Sequence, residues 1–223
     1  MAATMEAPTS TSAASRTGLS SSPKWLDEPV NRYFLIGGVV LAIALISWFV
    51  VLSGKRKETF AGRALDAARN MAEQGNLPLA ASELQKVVTT YGGTRAAQEA
   101  VITLNQVRLV NGQFELAAVG LQDFLKSGPD AQFKAPAYSL LGRALENSKR
   151  PGEAAQAYLS ASGAADVDYL RADLLLDAGR AFANAGDRDK AMETYRRVIK
   201  DYPKSTSKTE AEVRLSELTG GAM

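Results

Sequence analysis

The stretch ADLLLDAGRAFANAGDRDKAMETYRRVIKDYPKS, residues 172–205, decides the fold of this chain. It contains small residues where two helices would approach, large residues that would fill the space between hairpins, a turn glycine and a closing proline: Gly179, Ala191, Phe182, Tyr195, Gly186 and Pro203. Small side chains let helices pack closely, and proline stops a helix because it lacks the amide hydrogen. The stretch therefore predicts a helical hairpin.

The hairpin turn recurs every 37 residues, at Gly75, Gly112, Lys149 and Gly186. An alanine follows each turn by five residues, and a leucine or tyrosine follows each by nine. A fixed period of this size is typical of a solenoid, in which each unit buries its apolar face against the next. We expect an all-α fold with units at about 61–97, 98–134, 135–171 and 172–205, and the pattern resembles the tetratricopeptide repeat signature.

The chain after the last unit begins with Ser207-Lys208-Thr209-Glu210, which has the form of a capping box. We therefore predict a final helix over 207–218 that covers the exposed end of the solenoid. The repeat domain as a whole is predicted to span 58–218.

Two further segments precede the repeats. Residues 1–30 are rich in Ala, Ser, Thr and Pro and are predicted to be disordered, because they offer little apolar surface to bury. Residues 33–54 carry no charge, and as a helix of roughly 33 Å they would cross a bilayer. Within this predicted transmembrane helix, Gly38 and Ala42 form a small-xxx-small pair suited to contact with another membrane helix; incidental small residues are the alternative.

The charges that flank the apolar segment bear on its orientation. On the N-terminal side they are Arg16, Lys24 and Arg32, and on the C-terminal side they are Lys55, Arg56, Lys57, Arg63 and Arg69. The excess on the C-terminal side favours a cytoplasmic repeat domain, although a folded domain can be translocated against such a bias.

The composition excludes most catalytic devices. The chain has no cysteine and no histidine, so thiol nucleophiles, zinc sites, haem ligation and Ser-His-Asp triads lack their usual residues. We assign no catalytic, cofactor-binding or metal-binding residue and no small-molecule substrate, although catalysis by carboxylates or lysine is formally left open. A net charge of +2 without a concentrated basic face gives no footprint for nucleic acid.

A peptide groove is the candidate site. In repeats of this type, one position of each first helix faces the concave side, and here it is occupied by Arg69, Gln106, Arg143 and Arg180. These residues would suit carboxylates or extended acidic segments, and Asn147 and Asn184 would bond a peptide backbone. The alternative is that the arginines lie on a solvated face and pair with carboxylates such as Glu146 and Asp173. Leu65, Ile102 and Leu176 would add an apolar floor or belong to the core.

One anchor followed by three to four divergent hairpins, with segments such as Leu79-Ala80-Ala81-Ser82-Glu83-Leu84 and Gly186-Asp187-Arg188-Asp189-Lys190-Ala191, resembles the YfgM-like family of ancillary Sec translocon subunits. The resemblance implies a single-pass protein of the bacterial inner membrane with a periplasmic repeat domain. It also implies the translocon and periplasmic chaperones as partners.

Two hypotheses of function follow. The first is a membrane-anchored, non-enzymatic protein that holds extended or unfolded polypeptides beside the Sec translocon. The second is a structural scaffold or assembly subunit of another membrane complex, with a repeat domain that would then be able to lie in the cytoplasm.

Overall fold

The computed structural model describes the backbone of residues 29–220 and the side chains of residue 33 and residues 36–220. The tail predicted for residues 1–30 lies outside the described part, apart from its last two residues. The chain divides into one compact unit that ends at Val51 and a second that begins at Leu52.

All regular secondary structure in the described residues is helical, which confirms the all-α prediction. The helices are α1 (Pro29–Glu73), α2 (Leu77–Thr90), α3 (Arg95–Val110), α4 (Phe114–Lys126), α5 (Ala131–Asn147), α6 (Pro151–Ala164), α7 (Asp168–Asn184), α8 (Arg188–Asp201) and α9 (Ser207–Thr219). Consecutive helices from α2 to α9 pack against one another, and α3 also contacts α5, as α7 contacts α9. This stacking of hairpins is the predicted solenoid.

The repeated turn has one backbone geometry in all four hairpins. Gly75, Gly112, Lys149 and Gly186 have φ values of 82°, 74°, 61° and 79°. The amide of the residue after each turn donates to the carbonyl five residues back, for example Asn76 to Met71 and Arg150 to Leu145. This is the Schellman closure of a helix, which favours glycine because a Cβ is strained at positive φ. Lys149 adopts it nevertheless, so the third hairpin forms as predicted.

Close packing between the two helices of a hairpin depends on glycine in the third and fourth repeats. A Cβ placed on Gly142 would lie 2.6 Å from the ring of Tyr158, and one on Gly179 would lie 2.5 Å from the ring of Tyr195. Both tyrosines are almost fully buried. The aromatic rings therefore occupy the space that the missing side chains leave.

The N-terminal helix is longer than the sequence pattern indicates. The pattern predicts a membrane helix over 33–54 and a repeat domain from 58, whereas α1 runs without a break from Pro29 to Glu73. The second half of α1 supplies the first helix of the first hairpin, because Ala61, Leu65 and Ala68 are buried with residues of α2 and α3. The sequence has Gly54 at this boundary but no proline, and the helix continues through the glycine.

The last helix begins differently from the prediction. The residue before α9 is Thr206, and it makes no side-chain capping bond. Ser207, predicted to open a capping box, is buried and donates its hydroxyl to Asp173 on α7. The predicted capping box is therefore wrong, because the Ser207 hydroxyl bonds another helix. The predicted final helix itself is present.

Candidate peptide groove

The first helix of each hairpin places one residue of the predicted groove on the same face. We call Arg69, Gln106, Arg143 and Arg180 the first-helix row. They lie on α1, α3, α5 and α7 at intervals of 37 residues, and all four are partly or fully exposed. Three surface hollows follow this row from the first repeat to α9.

The first hollow, of about 390 Å³, contains Arg69 and Gln106. Arg69 donates to the carboxylate of Glu99 at 2.7 Å and to the hydroxyl of Thr103 at 3.3 Å. These contacts join α1 to α3 across the boundary between repeats. The guanidinium of Arg69 is therefore already engaged with an acid of the next repeat.

The second hollow, of about 450 Å³, contains Gln106, Arg143 and Asn147. Its remaining lining is apolar and consists of Leu109, Val110, Phe114 and Leu140. Arg143 is exposed and has no ion pair within residues 36–220. Asn147 donates one amide hydrogen to the backbone carbonyl of Arg143 at 2.8 Å. An unpaired guanidinium beside an apolar surface is what an extended acidic and apolar segment would need.

The third hollow, of about 230 Å³, contains Arg180 and Asn184 together with Arg214 of α9. Arg180 donates to Glu146 at 3.1 Å and to Asp177 at 3.0 Å. The contact with Glu146 is the pairing that the alternative interpretation of the arginines gives for Arg180. Asp173, the other acid considered, bonds Ser207 instead.

Glu146 and Asp177, the acids that bind Arg180, lie in a partly buried cluster. The hydroxyl of Tyr158 donates to Glu146 at 2.7 Å, and the Glu146 side chain is only 17% exposed. Burial, followed by the nearby Glu146 carboxylate, raises the pKa of Tyr158 well above its ordinary value. Burial also raises the pKa of Asp177, although Arg180 acts in the opposite direction. This cluster joins the third repeat to the fourth.

The structure assembles four of the six candidate groove residues into two adjoining hollows. Gln106 lines both, so Arg69, Gln106, Arg143 and Asn147 form one continuous surface. Arg180 and Asn184 lie in the third hollow. Sequence reasoning missed the acids Glu99 and Asp177, because their contacts with the arginines depend on the helical register.

The proposed apolar floor is largely core. Leu65 and Ile102 are buried with neighbouring helices, and Leu176 is partly buried. The core interpretation therefore holds for Leu65, whereas Ile102 is buried and also lines the first hollow. No cluster of three metal-ligating side chains occurs among the described residues.

The N-terminal part of α1 is long and apolar enough to cross a membrane. Every described side chain from Ile36 to Lys57 is exposed, including large apolar ones such as Trp48 and Phe49. Gly38 and Ala42 share this exposure, and a Cβ on Gly38 would meet nothing within 4 Å in the described structure.

Comparison with known proteins supports the repeat fold. Residues 173–205, the fourth hairpin, match the tetratricopeptide repeat family. The crystal structure of the MamA protein is 21% identical over 72% of this chain and 83% of its own, with a TM-score of 0.57. A tetratricopeptide repeat protein from Parabacteroides merdae is 11% identical over 72% of this chain and 60% of its own, with a TM-score of 0.58.

A third similar structure is YrrB, described as a tetratricopeptide protein with an unusual peptide-binding site. It is 15% identical over 78% of this chain and 84% of its own, with a TM-score of 0.54. No curated protein matches the chain significantly by sequence. At these identities the likeness shows the fold alone, a tetratricopeptide-type solenoid.

Proposed function

We propose that this tetratricopeptide-type chain is a membrane-anchored, non-catalytic protein that binds extended segments of partner proteins on its first-helix row. The observation that carries the proposal is the second hollow, where Arg143, which has no ion pair among residues 36–220, lies beside apolar side chains between two repeats. A bound peptide would offer a carboxylate to Arg143 and apolar side chains to Leu140 and Phe114. The peptide-binding description of YrrB, which has a similar fold, supports the same use of the solenoid.

The other two arginines have a different part in this proposal. Arg69 and Arg180 already hold acids of a neighbouring repeat at 2.7 and 3.1 Å. A partner carboxylate would have to compete with Glu99 or Glu146 for them. We therefore assign the initial contact with a partner to Arg143, with Gln106 and Asn147 as neutral hydrogen-bonding groups beside it, and Arg69, Arg180 and Asn184 to the flanks.

The membrane anchor is the apolar part of α1. Its exposed apolar side chains would be unfavourable in water over so long a stretch, and a bilayer offers them an apolar surrounding. The small pair Gly38 and Ala42 would allow a helix of a partner complex to approach closely. Replacing Gly38 by Ile would weaken that contact, which cross-linking in native membranes would measure.

For the partner, we propose the Sec translocon with its periplasmic chaperones, in a bacterial inner membrane. The support is the resemblance to YfgM-like proteins: a single anchor followed by a few divergent hairpins. The alternative is a scaffold or assembly subunit of another membrane complex with a cytoplasmic repeat domain. The cluster Lys55-Arg56-Lys57 favours this alternative, because positive residues are retained on the cytoplasmic side.

Cysteine labelling separates the two topologies, because the chain has no cysteine of its own. Ser12→Cys precedes the apolar segment and Lys204→Cys lies at an exposed site between α8 and α9. In intact bacterial cells treated with an impermeant maleimide, labelling at 204 alone would support the periplasmic proposal. Labelling at 12 alone would refute it and favour the cytoplasmic scaffold.

Charge reversal tests the groove. Arg143→Glu should weaken cross-linking of extended acidic segments to the full-length protein. The substitution replaces the guanidinium by a carboxylate, which repels the carboxylates of the segment. Arg196→Glu is the matched control: Arg196 is exposed on α8, outside the row, and has no ion pair within residues 36–220. Equal cross-linking by the two variants would remove Arg143 from the site. Arg180→Glu is unsuitable, because it would also break the contact between the third and fourth repeats.

A further inference from the structure

A cavity of about 370 Å³ lies on the opposite side of α3 from the first-helix row, between α2, α3 and α4. Its apolar lining includes Val88, Val101, Leu104 and Phe124, and its polar lining includes Asn105 and Arg108. The volume is at the lower end of the range for small-ligand sites, about 300–1,000 Å³. The groove proposal does not use this cavity.

The cavity lies where the second repeat departs from the third and fourth. At the position of Gly142 and Gly179 this repeat has Asn105, and at the position of Tyr158 and Tyr195 it has Leu121. In the later repeats the tyrosine ring lies against the glycine. The second repeat has a polar side chain and no ring at these places. Three residues further along the same helix, the second repeat has Arg108 where the third and fourth repeats have the buried Leu145 and Phe182.

Asn105 and Arg108 are held in a defined arrangement. Asn105 is 1% exposed, donates to the carbonyl of Val101 at 2.8 Å and accepts from Nη1 of Arg108 at 3.1 Å. Both side chains lie against Gly120, where a Cβ would come within 2.8 Å of each. The glycine thus leaves room for a polar pair against α4.

Arg108 is a partly buried cation. It also donates to the side-chain oxygen of Gln85 at 3.4 Å, and it forms no ion pair within residues 36–220. Asp123 also lines the cavity, but its carboxylate is 68% exposed and lies 3.6 Å from Lys126. The guanidinium is partly buried, and this burial lowers the pKa of Arg108. A desolvated guanidinium is stabilised by an anion that forms hydrogen bonds to it.

We propose that this cavity binds a carboxylate attached to an apolar group. The carboxylate accepts from the guanidinium of Arg108, whose five N–H groups are only partly used by Asn105 and Gln85. The apolar group packs against Val101 and Leu104. Two sources have this chemistry: the C-terminal residue of a polypeptide with an apolar side chain, and a small apolar monocarboxylic acid.

Calorimetric titration of the full-length protein in lipid nanodiscs tests the proposal, with empty nanodiscs as the blank. The probes are 4-phenylbutanoate and an acetylated tetrapeptide that ends in leucine, each compared with its amide. We expect saturable binding of an acid and loss of binding for its amide. Arg108→Gln should weaken binding roughly 10- to 100-fold, because a hydrogen bond to a charged group is lost. Arg196→Gln, an exposed arginine elsewhere, is the control and should bind as the wild type does.

A second variant keeps the test valid if Arg108→Gln fails to fold by far-ultraviolet circular dichroism. Val101→Phe leaves the charge in place and fills the apolar part of the cavity, so it should also abolish binding. Binding of the peptide alone or of phenylbutanoate alone would identify the source of the carboxylate. Equal affinities for acid and amide, or no saturable binding of either acid up to about 10 mM, would overturn the proposal.

Discussion

Tyr158 on α6 donates its buried hydroxyl to Glu146 on α5 at 2.7 Å, and Glu146 in turn receives Arg180 from the next repeat. One carboxylate therefore joins the two helices of the third hairpin and links that hairpin to the fourth. Arg180, a residue of the candidate groove, therefore also stabilises the solenoid through its contact with Glu146.

Tyr158→Phe should lower the free energy of unfolding by about 1.5–3 kcal/mol, because a hydrogen bond to a charged group is lost while the ring is kept. Tyr138→Phe is the matched control, since Tyr138 is partly buried and its hydroxyl makes no hydrogen bond within the described residues. Urea unfolding followed by far-ultraviolet circular dichroism measures both. Equal stabilities of the two variants would mean that the hydroxyl of Tyr158 contributes nothing.

The same contact predicts a dependence on alkaline pH. The pKa of Tyr158 is raised above its ordinary value of 10.0, chiefly by burial, so the folded state retains the proton when the unfolded chain has lost it. The resulting stability is complete below pH 10 and declines above it by about 1.4 kcal/mol per pH unit. Tyr158→Phe should abolish this component. The stability difference between wild type and variant, measured from pH 8 to pH 11, should therefore shrink above pH 10.

Parts of this cluster could be predicted from the sequence and parts could not. The 37-residue spacing predicts the hairpins, because these follow from repeating local turns, and it puts Arg180 and Glu146 on the first helices of successive hairpins. The contact of Arg69 with Glu99 spans 30 residues and depends on how one hairpin rotates against the next. The sequence pattern does not predict the continuity of α1, because the uncharged run ends at Gly54 while the 37-residue period begins only at Ala61. One feature of the sequence indicates the cavity beside Arg108: Asn105 occupies a position that is glycine in the third and fourth repeats.

The turn at Lys149 offers a stabilising substitution. Lys149 has a φ of 61°, which is strained for a residue with a side chain, whereas the equivalent Gly186 has a φ of 79° without that cost. Lys149→Gly should raise the free energy of unfolding by about 0.5–1 kcal/mol, since the relief of strain exceeds the added entropy of the unfolded chain. Gly186→Lys should lower it by a similar amount. Thermal unfolding would detect both, and a loss of stability in Lys149→Gly would contradict the assigned strain.

The final prediction concerns the junction between α1 and α3. The carboxylate of Glu58 accepts hydrogen bonds from the backbone amides of Arg95 at 2.9 Å and Ala96 at 2.8 Å. These amides belong to the first turn of α3 and have no partner within their own helix. Glu58 therefore acts as a helix cap, although it lies 37 residues away in the sequence. A negative charge at a helix N-terminus is also favoured by the helix dipole.

Glu58→Ala should therefore destabilise the start of α3 and its junction with α1 by about 0.5–2 kcal/mol, the usual cost of removing a helix cap. Hydrogen exchange read by mass spectrometry should show faster exchange at the start of α3, with α7 unchanged because its own N-terminus does not involve this carboxylate. Glu73→Ala is the control, since Glu73 is an acid at the end of the same helix and holds no amide of α3. If the start of α3 exchanged equally fast in both variants, Thr94, whose hydroxyl accepts from the amide of Ala97 at 3.1 Å, would be a sufficient cap by itself.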